Sequence, residues 1–180
     1  MKFEQHPSIP HKFSNAITHE RLLQMVRYEP ETGEFYWLVE GPRHGGRRYP
    51  GDSVTGTQNV HGYKIIGLDK RRYPAHRLAW FYVHGAWPKG EVDHINHDIL
   101  DNRLANLRDA PERTLQRGNQ KRRKDNTSGF KGVIRNNKRG KPWLALCKGK
   151  RLGVFDTPEE AHAAYMAEAR RVFGDFAFSG

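Results

Sequence analysis

The side chains able to do chemistry are concentrated in one stretch, where VDHINHD at 92–98 is followed by NRLANLR at 102–108. Hydrolysis of a phosphodiester needs a divalent cation on the scissile phosphate, oxygen ligands to hold it, and a base that takes a proton from water. Asp93 suits a hard cation such as Mg²⁺. His94, its neighbour on an extended strand, points to the opposite side of the backbone and can face a water instead. Adjacency therefore separates the two roles. Asn106, about a dozen residues on, is placed to hydrogen-bond the His94 loop and hold the imidazole in a useful tautomer. Asn96, Asp98, Asp101 and Asn102 read as Asx turns that satisfy their own backbone. His76 reads as a structural residue, hydrogen-bonded across a core, and His84 and His97 as surface or core residues.

Composition agrees with a polyanionic partner. The formal charge is +11, and it is unevenly spread. Between Arg117 and Arg151 stand thirteen Lys and Arg against one acid, Asp125, whereas residues 86–112 include Glu91, Asp93, Asp98, Asp101 and Asp109. Each Lys or Arg set on a phosphate releases condensed counterions. A basic surface beside an acidic pocket suits a metal-dependent enzyme acting on nucleic acid. The lone Cys147, within WLALC, reads as a small buried apolar group, which excludes thiolate zinc sites and an internal disulfide. No run approaches the roughly 18 apolar residues of a membrane span, and the start lacks a secretory stretch, so the expected location is the cytoplasm, with no membrane partner.

These residues must be positioned by short elements. Thr18–Tyr28 reads as a helix capped by Thr18, and EPETGEFYWLVE as a turn and a strand. HGYKIIGLD and the Arg71–Ala75 segment read as strands joined by a tight turn, and His76–His84 as a core helix ended by Gly85 and Pro88. Residues 89–108 form the polar loop that carries the chemistry, and Pro111–Lys124 a basic helix. DNTSG at 125–129 reads as a turn-rich linker and a domain boundary. Beyond it FKGVIR, PWLALCKG and KRLGVF form three strands, followed by a helix with Thr157 as N-cap and Pro158 at its first position.

The motifs resemble the HNH endonucleases of phage and intron-homing type: Asp93-His94, then Asn106-Leu107-Arg108, then QRGNQKRR at 116–123, preceded by AHRLAWFYVHGAWPKG. The resemblance implies a ββα-metal (His-Me finger) fold with one divalent metal, Mg²⁺ or in its place Mn²⁺. Asp93 would be a ligand, His94 the general base and Asn106 the organiser of the loop. The second ligand falls on Asn119 or Gln116, with Asn119 preferred. The C-terminal stretch, with GFKGV at 129–133, Trp143, LGVFDTPEEAHAAY at 152–165 and a terminal GDFA, resembles the apetala-two DNA-binding domain of ethylene-response factors. That implies a sheet entering the major groove. The expected DNA contacts are Arg122, Arg123, Lys131, Arg135, Lys141, Trp143, Lys148 and Arg151, with Leu144 and Leu146 toward the core. The alternative, that Trp143 packs the sheet on its helix, stays open.

The expected fold is thus α+β: a nuclease core with a small N-terminal antiparallel sheet, then a C-terminal three-stranded antiparallel sheet packed on one helix. The expected domains are a tail at 1–17, a nuclease domain at 18–124 and a DNA-binding domain at 125–180. The expected function is metal-dependent, site-preferring nicking or cleavage of double-stranded DNA by a phage-like homing enzyme, with a monomer the preferred state. A catalytically inactive DNA-binding protein on the same scaffold is the main alternative. An RNA-directed role would require more exposed aromatics for base stacking.

Overall fold

The computed structural model describes residues 16–43, 46–136 and 142–180. Helices and antiparallel strands mix throughout, an α+β arrangement, and the chain divides into two compact units between Asp109 and Ala110.

In the first unit, Thr18 Oγ1 accepts from the Arg21 amide at 3.1 Å and starts helix α1 (His19–Met25). The helix stops three residues short of the expected Tyr28, because Val26–Glu29 is strand β1, hydrogen-bonded to β2 (Glu34–Trp37) in a hairpin. The β-branched and aromatic residues there gain more from burial in the hairpin than from another helical turn. Next come the short hairpin of β3 (Gly41–Arg43) and β4 (Gly46–Arg48) and a three-stranded sheet of β5 (Thr57–Gln58), β6 (Lys64–Leu68) and β7 (Arg71–Pro74). The expected single N-terminal sheet is therefore a set of separate small sheets. Pro74 sets the start of α2 (Ala75–His84), and Gly85, left-handed at φ 67, ends it. The α2 residues Leu78, Ala79 and Phe81 close over Leu22, Val26, Phe35, Ile66 and Leu68 to make the core. On this core rests β8 (Glu91–His94), which forms a two-stranded sheet with β9 (Leu107–Ala110).

The second unit starts with α3 (Arg113–Asn119), which ends before the expected Lys124 because Gln120 turns extended. Strands β10 (Val133–Arg135), β11 (Trp143–Cys147) and β12 (Lys150–Phe155) form one antiparallel sheet, with a bulge between Ala145 and Leu146. Helix α4 (Pro158–Phe173) is capped by Thr157, whose Oγ1 accepts from the Glu160 amide at 3.2 Å. Its stripe Ala161, Tyr165, Ala169 and Phe173 packs on Val133, Ala145 and Cys147. Gly132 permits the close approach: it sits at φ 75, and a Cβ there would meet the Tyr165 ring at 2.1 Å. The DNTSG segment is a bonded turn of this unit, since Asn126 Nδ2 donates to the carbonyls of Phe130 and Val133, both at 3.0 Å. The compact units thus part at 109/110, whereas the turn residues pointed to 124/125, because α3 packs with α4 and with the 3-10 turn Gly174–Phe176.

The sheet's parity reverses the expectation. Ala145 and Cys147 face the helix, while Ile134 and Val154 are exposed and Leu144 and Leu146 only half-buried on the other face. Small residues lie under α4 because its own Tyr165 and Phe173 supply the bulk. Trp143 shares the inner parity and joins the Val133–Ala145–Ala161 cluster, with Arg135 laid over its ring at 4.8 Å. It packs the sheet rather than standing out toward a partner.

Candidate active site

Strand alternation along β8 buries Val92 and His94 and leaves Asp93 partly exposed on the opposite side, as the adjacency of the two residues required. The strand's entry is fixed by Asp109, whose carboxylate accepts from the amides of Lys89 at 2.9 Å and Gly90 at 3.0 Å. Its exit is held by Ile95, whose amide donates to the Asn106 carbonyl at 2.9 Å.

Between them the loop 95–106 satisfies its own backbone. Asn96 Oδ1 accepts from the Asp98 amide at 2.8 Å and Asp98 Oδ1 from the Leu100 amide at 3.0 Å, the Asx turns expected of these residues. Asp101 accepts from Asn96 Nδ2 and from the Arg103 guanidinium, which holds its carboxyl down to about 2. Asn106 accepts the Asn96 amide at 2.9 Å and donates Nδ2 to the Asp101 carbonyl at 2.8 Å. It therefore braces the loop's backbone.

The residue facing the imidazole is a different asparagine. Asn102 Oδ1 stands 3.5 Å from His94 Nε2, a weak contact by distance, and Asn102 is almost wholly buried. This corrects the expectation that Asn106 orients the imidazole and that Asn102 is only a turn former. Sequence offered little to choose between two asparagines four residues apart. The first hairpin props Asn102 from behind: Tyr28 donates its hydroxyl to the Asn102 carbonyl at 2.7 Å, and the Leu104 amide donates to the Pro30 carbonyl at 3.0 Å. Gly33, at φ 77, has the loop's backbone where a Cβ would sit, 2.5 Å from the Asn102 carbonyl carbon.

Burial pushes the His94 imidazole below its ordinary value, against the raising effects of Asn102 and nearby carboxylates. His76 from α2 packs edge-on against it with ring centroids 5.1 Å apart, and Tyr63 lies 5.0 Å from His76. His76 is buried and its Nδ1 has no hydrogen-bond partner, so it does not bond across the core in the expected way. Burial lowers its titration to about 3, with His94 and Arg77 adding to the effect. It is a neutral wall behind His94.

Asp93 is engaged by Arg108 from β9. The guanidinium donates Nε at 2.9 Å and Nη2 at 2.8 Å, both to Oδ2. Sequence reading passed over Arg108 although the motif contains it, and an antiparallel β8–β9 pairing would have set the two residues across from each other.

Residues 73–117 match the family model for HNH endonucleases. No curated protein and no solved structure matches the chain. The HNH segment runs from the end of β7 through α2, β8, the loop and β9 into α3, and includes Asp93, His94, Asn102, Asn106 and Arg108. The match supports a nuclease, a hydrolase acting on DNA. Gln116 falls within the matched span and Asn119 two residues beyond it; both stand on α3 in the second unit, where Asn119 is buried and the Gln116 side chain lies outside the described residues. Among the described residues no cluster of three His, Cys, Asp or Glu forms a ready cation cage. An HNH metal would therefore draw on Asp93 together with amide, water and phosphate oxygens, a donor set that fits Mg²⁺, which binds through one or two carboxylates and keeps several waters.

The expected DNA contacts divide. Arg122 and Arg151 are exposed, and Arg151 sits opposite Leu146 on the outer face. Lys148 occupies the β11–β12 turn at φ 50. Arg123 is exposed and paired with Asp125. Lys131 is diverted: its ammonium donates to the carbonyls of Gly118 at 2.7 Å and Phe178 at 3.1 Å, and burial lowers its pKa. It tethers α3 to the C-terminal segment instead of reaching outward. Lys141 lies outside the described residues. No described helix is long and apolar enough to cross a membrane.

Proposed function

We propose that the chain is a metal-dependent, site-preferring endonuclease of double-stranded DNA, of the homing type found in phages. The single observation that carries this reading is the split of Asp93 and His94 to opposite faces of β8 within the HNH segment. Asp93 would hold one Mg²⁺ or Mn²⁺. When bound, such a cation polarises the phosphoryl group and neutralises charge developing on it. Asn102 Oδ1, as the acceptor facing Nε2, favours the tautomer protonated there, so that Nδ1 carries the lone pair that takes a proton from water. Burial keeps that imidazole unprotonated near neutral pH, the state a base needs. The second unit, read as an apetala-two-like module, adds binding through Arg122, Lys148 and Arg151.

The test is conversion of supercoiled plasmid to nicked or linear forms with Mg²⁺ or Mn²⁺ and with excess chelator. Cleavage should require the metal and fall by roughly 10² to 10⁴ in His94→Ala, with duplex binding retained. Near wild-type cleavage by His94→Ala would remove His94 as the base. The engagement of Asp93 by Arg108 favours one second reading, a scaffold that binds DNA without cutting it. Salt-dependent binding with no metal-dependent cleavage would establish that reading instead.

A further inference from the structure

Arg108 is not accounted for by the roles above, and its position is unusual for a cation. Strands β8 and β9 form one two-stranded sheet, closed at its loop end by the Ile95 amide to Asn106 carbonyl bond, and across it Arg108 reaches Asp93. Both side chains lie on the half-open side of the pair, 16% and 15% exposed, while His94 and Leu107 are buried on the other. Side-on pairs normally give one guanidinium nitrogen to each carboxylate oxygen. Here Nε and Nη2 both reach Oδ2, at 2.9 and 2.8 Å.

We propose that Arg108 is a phosphate-binding residue of the active site, held on Asp93 until the divalent cation takes over that carboxylate. The inference rests on the reading of Asp93 as a metal ligand. A dication carries twice the charge of a guanidinium and approaches a carboxylate oxygen to about 2.1 Å, so it outcompetes Arg108 for Oδ2. Arg108 would then turn a partly exposed guanidinium toward the anionic substrate. Its planar fork fits phosphate oxygens. Arg108 thus weakens metal binding in the absence of DNA and strengthens DNA binding once metal is present. Metal and DNA become mutually reinforcing ligands, as linkage requires.

The two opposed effects give the test. In a His94→Ala background, which suppresses cleavage, Mn²⁺ affinity is read from the free-ion paramagnetic resonance signal for the parent, R108Q and D93N. Duplex affinity is measured across a salt series with and without Mn²⁺. R108Q should bind Mn²⁺ roughly tenfold more tightly, one charge of repulsion having gone. With Mn²⁺ present its salt slope should fall by about 0.9, the value of one phosphate contact, and without Mn²⁺ it should equal the parent's. Unchanged or weaker Mn²⁺ affinity, or a slope equal to the parent's with Mn²⁺, overturns the proposal alone, provided D93N loses Mn²⁺. Undiminished Mn²⁺ binding by D93N overturns the metal role of Asp93 and this inference with it. Should R108Q fail to fold, Arg108→Met keeps the packed stem, and the same two shifts are required of it.

Discussion

Lowering the pH from 7 to 5 should destabilise the first unit by about 2 kcal/mol through His76 alone. An imidazole in the unfolded chain titrates near 6.5, whereas burial against His94 and Tyr63 lowers His76 to about 3 in the fold. The folded pKa is the lower one, so the unfolded state binds the extra proton; the contribution is intact above 6.5 and is lost as pH falls toward 3. At pH 5 the window spans about 1.5 units at roughly 1.4 kcal/mol each, less a small remainder at pH 7. His94 is shifted the same way and adds to the slope, while the lowered carboxylates of Asp69 and Asp101 titrate below this window. The assay is urea unfolding followed by tryptophan fluorescence, which reports chiefly on this unit because Trp37, Trp80 and Trp87 lie in it. His76→Leu removes the titrating group and an unpartnered Nδ1, so it should be as stable as wild type at pH 7 and lose about 2 kcal/mol less on acidification. Equal losses in the two proteins would refute the idea that burial holds His76 neutral.

Asn102→Asp should raise the acid limb of the cleavage pH profile by about one unit, because a carboxylate beside Nε2 favours the imidazolium; a profile matching wild type would place His94 elsewhere. Asn106→Ala should cost about 2 kcal/mol in urea unfolding, for two loop hydrogen bonds, and an unchanged midpoint would deny its bracing role. Lys131→Met should lower the melting temperature and leave the salt slope of DNA binding intact, whereas Arg151→Ala should reduce the slope by about 0.9 and spare stability. The reverse pattern would return Lys131 to the DNA surface. Gly132→Ala should speed amide exchange across β10–β12, at a cost of at least about 2 kcal/mol from positive φ and contact with Tyr165, with β1–β2 exchange unaffected.

The elements legible in the sequence were those that carry their own boundary chemistry. Helix α2 has Gly85 after it, and α4 has Thr157 and Pro158 at its start. The division of Asp93 from His94 followed from strand alternation, which needs no tertiary information. What escaped depended on partners distant in the chain. Asn102 and Asn106 have the same chemistry, and only the prop from Tyr28 and Pro30 decides which of them meets the imidazole. Trp143 was read outward on the resemblance to the apetala-two domain, yet the small residues Ala145 and Cys147 fix the inner parity by accepting the bulk of α4. Lys131 looked like one more surface cation until two carbonyls, at Gly118 and Phe178, claimed it.

The hairpin behind the loop bears on how such an active site can be transplanted. The span that matches the HNH model starts at Tyr73, but the carbonyl and amide that fix Asn102 and Leu104 find their partners at Tyr28 and Pro30, and Gly33 leaves the space they fill. A graft of the matched span alone would carry the reactive groups and leave behind the surface against which their loop is shaped. The smallest portable catalytic piece therefore begins ahead of the first hairpin, and its N-terminal third belongs to the active site's architecture although it contributes no group to the chemistry.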